Sequence, residues 1–210
     1  MRLAVLVSGS GTILEAILAE GIEVDLVLSD RPCRGLEVAE DAGATPVLVD
    51  RSEFGGFSKN FDREAFTEKV DAVLAEAGID LVAMAGFGTV LTGAIYQRFG
   101  GRILNTHPAL LPAFPGWHGV EDALAAGATV TGCTVHLATE EMDAGPILAQ
   151  VAVDVAADDT ADSLHERIKQ VERWLYPATI AAAARALNEG RSIESIKGEL
   201  PQVEKKETGS

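Results

Sequence analysis

The sequence predicts an α/β protein: a doubly wound, mostly parallel sheet, with an antiparallel strand pair in the C-terminal half and a long C-terminal helix. Three observations carry this prediction. Short, continuous apolar runs alternate with amphipathic helical stretches through the first half of the chain, the pattern of strands covered on both faces by crossover helices. Residues 130–137 alternate instead, and a second strand-like run at 147–155 follows a turn containing Asp143, Gly145 and Pro146, which reads as an antiparallel pair. Helical periodicity then extends from about residue 160 to residue 188.

Residues 3–7 form an apolar run that passes into Ser8-Gly9-Ser10-Gly11-Thr12. The run is too brief for a signal sequence and reads as the first strand, with a helix to Glu20 after it. Residues 24–28 form a second strand, 35–42 a helix stopped by Gly43, and 46–49 a third strand, followed by a glycine-containing loop over 52–60. From 62 to 77, Phe66, Val70, Val73 and Leu74 recur at helical spacing until Gly78. Residues 80–85 and 101–105 are the next strands. Asp159 or Thr160 can cap the long helix, and Pro177 is expected to kink or interrupt it. Residues 202–210 are polar and expected to fray. The organisation read from this is one domain over 1–190, with halves meeting near residue 100, and an extension over 191–210. There are no internal repeats.

Hydrophobic residues make up 47% of the 210, enough for a substantial core. No apolar run reaches the length of a membrane span. Cys33 and Cys133 match no metal or redox spacing, which points to two reduced thiols in a cytoplasmic protein. The net charge is −15, from 32 acidic and 17 basic residues, which argues against nucleic acid as a partner. Any anion site must be built locally from helix N-termini and a few arginines. Repulsion from the rest of the molecule is screened over roughly 8–10 Å.

The chemistry concentrates at Asn105-Thr106-His107-Pro108-Ala109-Leu110-Leu111-Pro112. Residues i and i+2 of a strand share a face, so Asn105 and His107 converge as a fixed amide donor and a titratable imidazole. Such a pair suits a reaction that builds negative charge on a carbonyl oxygen. Asp143, 36 residues beyond His107, can orient the imidazole and favour its charged form. Ser8-Gly9-Ser10-Gly11-Thr12 lets backbone N–H groups approach an anion at a helix N-terminus. Leu14 stands where a dinucleotide fingerprint has its third glycine, and no P-loop Gly-Lys follows. A plain strand–helix turn is the alternative. Asp30, at the end of the second strand, is positioned for a ribose hydroxyl. Phe87-Gly88-Thr89-Val90-Leu91 can wall a flat aromatic ligand or simply lead into a helix. His118 is placed to start a helix beside the site, and His136 reads as a satisfied structural histidine. No metal-ligand cluster appears, and neither cysteine has a base beside it in sequence.

Together these motifs, with Pro115-Gly116, Thr134-Val135-His136-Leu137 and Glu141-Met142-Asp143-Ala144-Gly145-Pro146, resemble those of the phosphoribosylglycinamide formyltransferase family. The resemblance runs from about Arg2 to Pro177. It implies a Rossmann-like formyltransferase fold that takes a formyl group from 10-formyltetrahydrofolate to the amine of glycinamide ribonucleotide by direct attack, with no metal. It implies catalysis by Asn105, His107 and Asp143. Gly9, Ser10, Gly11, Thr12 and Ile13 would cradle the ribotide phosphate in the N-terminal half, with Glu172 as a further ribotide contact. Arg63 would meet the glutamate tail of the folate. Phe87, Gly88, Thr89, Val90 and Leu91 would flank the pterin together with Asn105, Thr139, Glu140, Glu141 and Asp143.

The chain departs from the family pattern at Ile13, where asparagine is common, at Gly88-Thr89, where Met-Arg is common, and at Arg173, where histidine is common. The second departure removes an arginine expected near the folate tail. Methionyl-tRNA formyltransferases carry Arg-Gly at the place of Pro115-Gly116 and add a C-terminal domain, for which this chain reads as too short. Formyltetrahydrofolate hydrolases precede the shared fold with a regulatory domain, whereas the pattern here starts at Met1. Hydrolase activity, sugar-nucleotide N-formylation and a non-catalytic folate- or nucleotide-binding module remain the alternatives. The expected partners are the two small-molecule substrates, not nucleic acid or membrane, for a monomer or homodimer.

Overall fold

The computed structural model describes residues 1–202. The first three strands are β1 (Leu3–Val7), β2 (Leu26–Ser29) and β3 (Thr45–Leu48), followed by β4 (Leu81–Met84) and β5 (Ile103–His107). The last two are β6 (Val130–Leu137) and β7 (Ile147–Asp154). They form one sheet in the order β3-β2-β1-β4-β5-β6-β7. Pairings from β3 through β5 are parallel, while β6 runs antiparallel to both β5 and β7. Strand order reverses at β1, so the crevice beside the carboxyl ends of β1 and β4 is a topological switch point, the usual place for ligands in such sheets.

The helices are α1 (Thr12–Ala19), α2 (Arg34–Asp41), α3 (Arg63–Glu76), α4 (Gly93–Phe99), α5 (Gly119–Ala125) and α6 (Ala161–Asn188). Alternation along β1 divides them between two layers. Leu3, Val5 and Val7 join a cluster with residues of α1, α2, α5 and α6. Ala4 and Leu6 face the other way, onto Phe66, Val70 and Leu74 of α3 and Ile95 and Phe99 of α4. β1 and β2 are therefore buried on both sides, while β3 at the sheet edge stays partly exposed. The Asp62 carboxylate caps α3 by accepting from the Ala65 N–H at 3.0 Å, and Thr160 and Ser163 form a reciprocal capping box on α6.

Four details differ from the sequence expectations. α6 continues without interruption through Pro177. Leu175, Tyr176, Pro177 and Ile180 are all buried, and this packing outweighs the roughly 3 kcal/mol that an interior proline costs a helix. A 3-10 turn, Arg51–Phe54, lies at the predicted 52–60 loop, capped by Asp50. A second 3-10 segment, Ile193–Glu199, places Ile193 and Ile196 in the core. Gln202, expected to fray, donates its side-chain amide to the Leu148 carbonyl at 2.6 Å. The rest of the predicted polar tail, 203–210, lies outside the described residues. Among the described residues no helix is long and apolar enough to cross a membrane.

One buried hydroxyl ties the two halves of this frame together. Tyr176 of α6 is fully buried, and its hydroxyl lies 3.0 Å from the carbonyl oxygens of both Met84 and Leu104. A single proton is shared between the ends of β4 and β5. Tyr176→Phe leaves the packing and removes only that donor. The expected loss is about 1–2 kcal/mol, which lowers the thermal midpoint by about 2–4 °C per kcal/mol in a chain of this size. An unchanged midpoint by circular dichroism would show that the hydroxyl makes no net contribution.

Candidate active site

A cavity of about 340 Å³ opens at the carboxyl ends of β4 and β5. One wall is the loop after β4, with Phe87, Gly88, Thr89, Val90 and Leu91; the floor is Asn105, Thr106 and His107; the far wall carries Thr139 and Asp143. β5 extends through His107, so the alternation that brings Asn105 and His107 to one face is strand geometry.

His107 is buried, and its Nε2 lies 2.8 Å from the Phe114 carbonyl oxygen. A carbonyl only accepts, so Nε2 carries the proton and Nδ1 is left to face Asp143, whose Oδ2 stands 3.4 Å away. The same Oδ2 accepts from the Gly116 N–H at 2.8 Å. Gly119 makes room for this arrangement: a Cβ there would lie 2.9 Å from the Phe114 oxygen and 3.0 Å from Nε2 of His107. Gly145 closes the loop beyond Asp143, because a Cβ at that position would fall 1.8 Å from the Leu137 oxygen.

His136 was read from the sequence as structural, and the structure places it within the cluster. It sits opposite Asn105 in the β5–β6 register. Its Nδ1 is 2.9 Å from its neighbour's carbonyl, that of Leu137, so Nδ1 is the donor. Its Nε2 then accepts from Nδ2 of Asn105 at 3.2 Å. This contact sets which way the Asn105 amide points, and it leaves the second Nδ2 hydrogen for the cavity. Asp143 Oδ1 is 3.5 Å from the same Nε2. Both imidazole–carboxylate distances exceed the 2.7–2.9 Å of a strong charge-assisted bond; catalytic contacts of this type tighten as the substrate complex forms. Burial pushes the Asp143 carboxyl up, but the contact with His136, the Gly116 amide and the charge of His107 outweigh it and hold the group below the usual carboxylate range.

The other predicted residues divide. Thr89 lines the cavity, yet its side chain is buried: its hydroxyl donates to Asp30 at 2.7 Å and accepts from Arg51 at 2.8 Å. Asp30 is itself fully buried against Arg31 and Thr89, which removes it as a partner for a ribose hydroxyl. Glu140 and Glu141 are exposed and off the cavity wall. Gly9, Ser10, Gly11, Thr12 and Ile13 form the turn into α1, also outside this wall. The side chain of Ile13 belongs to the core, so it offers a ligand only its backbone N–H, one of the unpaired donors of the first helical turn. Arg34 donates to the Ser10 carbonyl at 2.6 Å, and its charge is already paired with Glu15 of α1. Arg63 opens α3 beside a second cavity.

Glu172, on α6, is not among the residues lining this cavity. Burial pushes its carboxyl up to about 7, against the pull of the Thr106 bond and the charges of Lys169 and Arg173. Neighbouring Cys133 is pushed by burial to about 12 and is inert as a nucleophile near neutral pH. The sequence reading also missed His165 and Trp117, which line the cavity together with Met142 of the 139–143 segment expected there. His165 and Glu172 are seven residues apart on α6, two helical turns on one face, a spacing visible in the sequence once the helix is assigned. Trp117 left no comparable signal. Among the described residues no group of three or more histidine, cysteine or acidic side chains is arranged to hold a metal ion.

Comparison with known proteins adds an independent line. Residues 1–180 match the family model described as formyl transferase. The chain is 46% identical over 188 residues to the phosphoribosylglycinamide formyltransferase of Mycobacterium tuberculosis, covering 87% of this chain and 85% of that one. It is 39% identical over 208 residues to the human trifunctional purine biosynthetic protein adenosine-3, covering 94% of this chain and 20% of that protein. The crystal structure of glycinamide ribonucleotide transformylase 1 from Symbiobacterium toebii superposes with a TM-score of 0.80 at 41% identity, covering 91% of this chain and 89% of that one.

The raised carboxyl of Glu172 sets a pH signature. A carboxyl whose folded pKa exceeds its unfolded value binds protons more tightly when folded, so its ionisation opposes folding. That penalty is absent below the unfolded value, grows as pH rises toward 7, and is complete above it. Glu172→Gln keeps an acceptor for Thr106 and removes the titration. It is expected to raise the thermal midpoint above pH 7 and to have little effect near pH 4. A gain of equal size at both pH values would refute the assignment.

Proposed function

The chain belongs to the formyl transferase family, and from that premise we propose that it moves the formyl group of 10-formyltetrahydrofolate onto the amine of glycinamide ribonucleotide. The observation that carries this reading is the convergence of Asn105, His107 and Asp143 on one cavity, each held by a backbone or histidine contact. The relatives named for this reaction support the choice of substrates.

The acceptor amine attacks as a neutral group, and an α-amino group near pKa 8 supplies a useful neutral fraction at physiological pH. Addition to the formyl carbon produces a tetrahedral intermediate with charge on oxygen. The free N–H of Asn105 Nδ2 is the donor for that oxygen, and a proton on Nδ1 of His107, held against Asp143, supplies positive charge beside it. Asp143, held ionised, supports the proton on His107. It also accepts the proton of the attacking nitrogen on its way to the departing folate nitrogen, directly or through water. The Phe87–Leu91 loop offers an apolar wall and backbone groups for the flat ring, and the α1 turn offers N–H donors for the ribotide phosphate. Glu172 contacts the ribotide from α6. No covalent intermediate with the protein is required.

Asp143→Asn is expected to lower kcat about 100- to 1000-fold, the usual effect of losing one electrostatic stabiliser, with the fold intact by circular dichroism. His107→Ala is expected to do the same. Near-normal turnover in either variant would refute the assigned role.

The reaction itself is tested by mixing the protein with glycinamide ribonucleotide and the formylated folate and following deformylated folate by absorbance. Ribotide-dependent release is expected. Release without ribotide would identify a hydrolase, and no release would leave only a binding module; either result overturns the proposal.

A further inference from the structure

The loop after β4 is held from outside by residues at the carboxyl ends of three other strands. Ser8, the first residue after β1, accepts the Gly88 N–H on its hydroxyl oxygen at 2.6 Å. Asp30, the first residue after β2, accepts the Thr89 hydroxyl at 2.7 Å. Arg51, in the 3-10 turn after β3, donates through Nη1 to the Thr89 oxygen at 2.8 Å and to the Gly88 carbonyl at 3.3 Å. Gly88-Thr89, where the chain departs from the family pattern, is thus the pair by which the loop is tied down.

Asp30 is the centre of these ties. It is fully buried, and Arg31 donates to both of its oxygens, from Nε at 3.0 Å and from Nη2 at 3.1 Å. Its backbone carbonyl accepts the Arg51 N–H at 2.8 Å. Burial pushes the Asp30 carboxyl up, but Arg31, Thr89 and Ser8 outweigh it and hold the group below the usual carboxylate range. Gly88 makes room for this pair: a Cβ there would lie 2.9 Å from Nη2 of Arg31 and 3.3 Å from the Ser8 hydroxyl oxygen. A methionine at 88 would press Arg31 off Asp30, and an arginine at 89 would bring no hydroxyl. Asp30, Arg31, Gly88 and Thr89 therefore fit together as a set. An apolar side chain would fill the end of β2 at no greater cost than a buried ion pair. What only the carboxylate adds is direction, through a charge-assisted bond to Thr89.

We infer that Asp30 is a positioning residue for the reaction: held by Arg31, it fixes Thr89, and with it the loop that walls the donor side of the cavity, before the donor arrives. Gly86 and Gly88 would leave this loop free without such ties. The inference rests on the folate reading of the first cavity. A wall that is already set loses little freedom when a flat ring binds against it, whereas a loosened one must be ordered by the ligand, which weakens binding. The cost falls on the donor and not on the ribotide, which the α1 turn takes.

Asp30→Asn tests this in two ways. Amide hydrogen exchange of the free protein is expected to quicken over residues 86–91 and to stay unchanged over β4 and β5. The dissociation constant for tetrahydrofolate, read by quenching of Trp117 in the cavity wall, is expected to rise about tenfold, the effect of losing a bond to a charged group. That for glycinamide ribonucleotide, read by calorimetry, is expected to stay within about twofold, since its contacts are kept. Unchanged exchange, an unchanged tetrahydrofolate constant, or equal weakening of both ligands would overturn the inference. If Asp30→Asn fails to fold by circular dichroism, Thr89→Val and Thr89→Ser carry the test. Valine removes the hydroxyl at similar volume and is expected to weaken tetrahydrofolate, and serine restores the hydroxyl and the affinity; equal affinities in the two variants overturn the inference. Formyl transfer by the wild type is measured in parallel. Tetrahydrofolate binding without transfer sinks the proposed reaction and leaves the role of Asp30 standing, whereas a wild type that does not bind tetrahydrofolate overturns both.

Discussion

Asp143 is the point on which the site depends. A half-buried carboxylate is unfavourable unless its charge is met, and here the groups that meet it come from three places. His107 comes from the end of β5, His136 from β6, and the Gly116 N–H from the loop between β5 and α5. Asp143 also sits at a φ of 54°, a left-handed conformation that aspartate tolerates better than most side chains. The loop joining β6 to β7 is thereby fastened over the end of β5. The antiparallel register that sets Asn105 opposite His136 makes this possible. A slip of one residue would turn His136 to the other face of the sheet.

Much of this was legible in the sequence, and the reasons differ from element to element. Most strands of the parallel half were readable because they are short, continuous apolar runs lying between helical patterns. Asn105 and His107 were readable because a strand's two-residue period is independent of tertiary context. Asp143 could be named from its residue type as a partner for His107, but nothing local shows that it reaches the ring; the contact spans 36 residues and is decided by the β6–β7 return. His136 was misread because a histidine on an alternating strand looks satisfied, and it is: its Nδ1 is paired with a backbone carbonyl. What no local pattern reveals is that the other ring nitrogen faces Asn105. Ile193 and Ile196 escaped for another reason. Their segment is short and polar around them, and its burial is decided by the surface that α6 and β7 leave open.

The strong negative charge of the chain does not prevent it from handling anions, because charge acts locally. Arg34 lies at the turn into α1, and Arg51, Lys59 and Arg63 gather beside the loop after β4. Surface carboxylates farther than about 8–10 Å from either group are screened at physiological salt. The acidic remainder can then favour solubility without opposing binding at these two places. The two groups belong to opposite faces of the sheet, Arg34 to α2 on one and Arg63 to α3 on the other. That layout suits two anionic ligands that must be held apart at their charged ends and brought together at their reacting ends.

The two histidines around Asp143 have opposite polarity, and this bears on the proton. His107 gives its Nε2 hydrogen to Phe114 and turns Nδ1 to the carboxylate; His136 gives its Nδ1 hydrogen to Leu137 and turns Nε2. Without a further proton, each ring faces an ionised carboxylate with a lone pair, and only Nε2 of His136 has another partner, Asn105. A proton at Nδ1 of His107 turns its contact into an attractive one without disturbing any existing hydrogen bond. A proton at Nε2 of His136 would break the bond that orients Asn105. The hydrogen-bond pattern thus assigns the mobile proton to His107 and the positioning duty to His136. In the proposed reaction a developing oxyanion would then meet the charge of a protonated imidazole and an amide whose direction is already set.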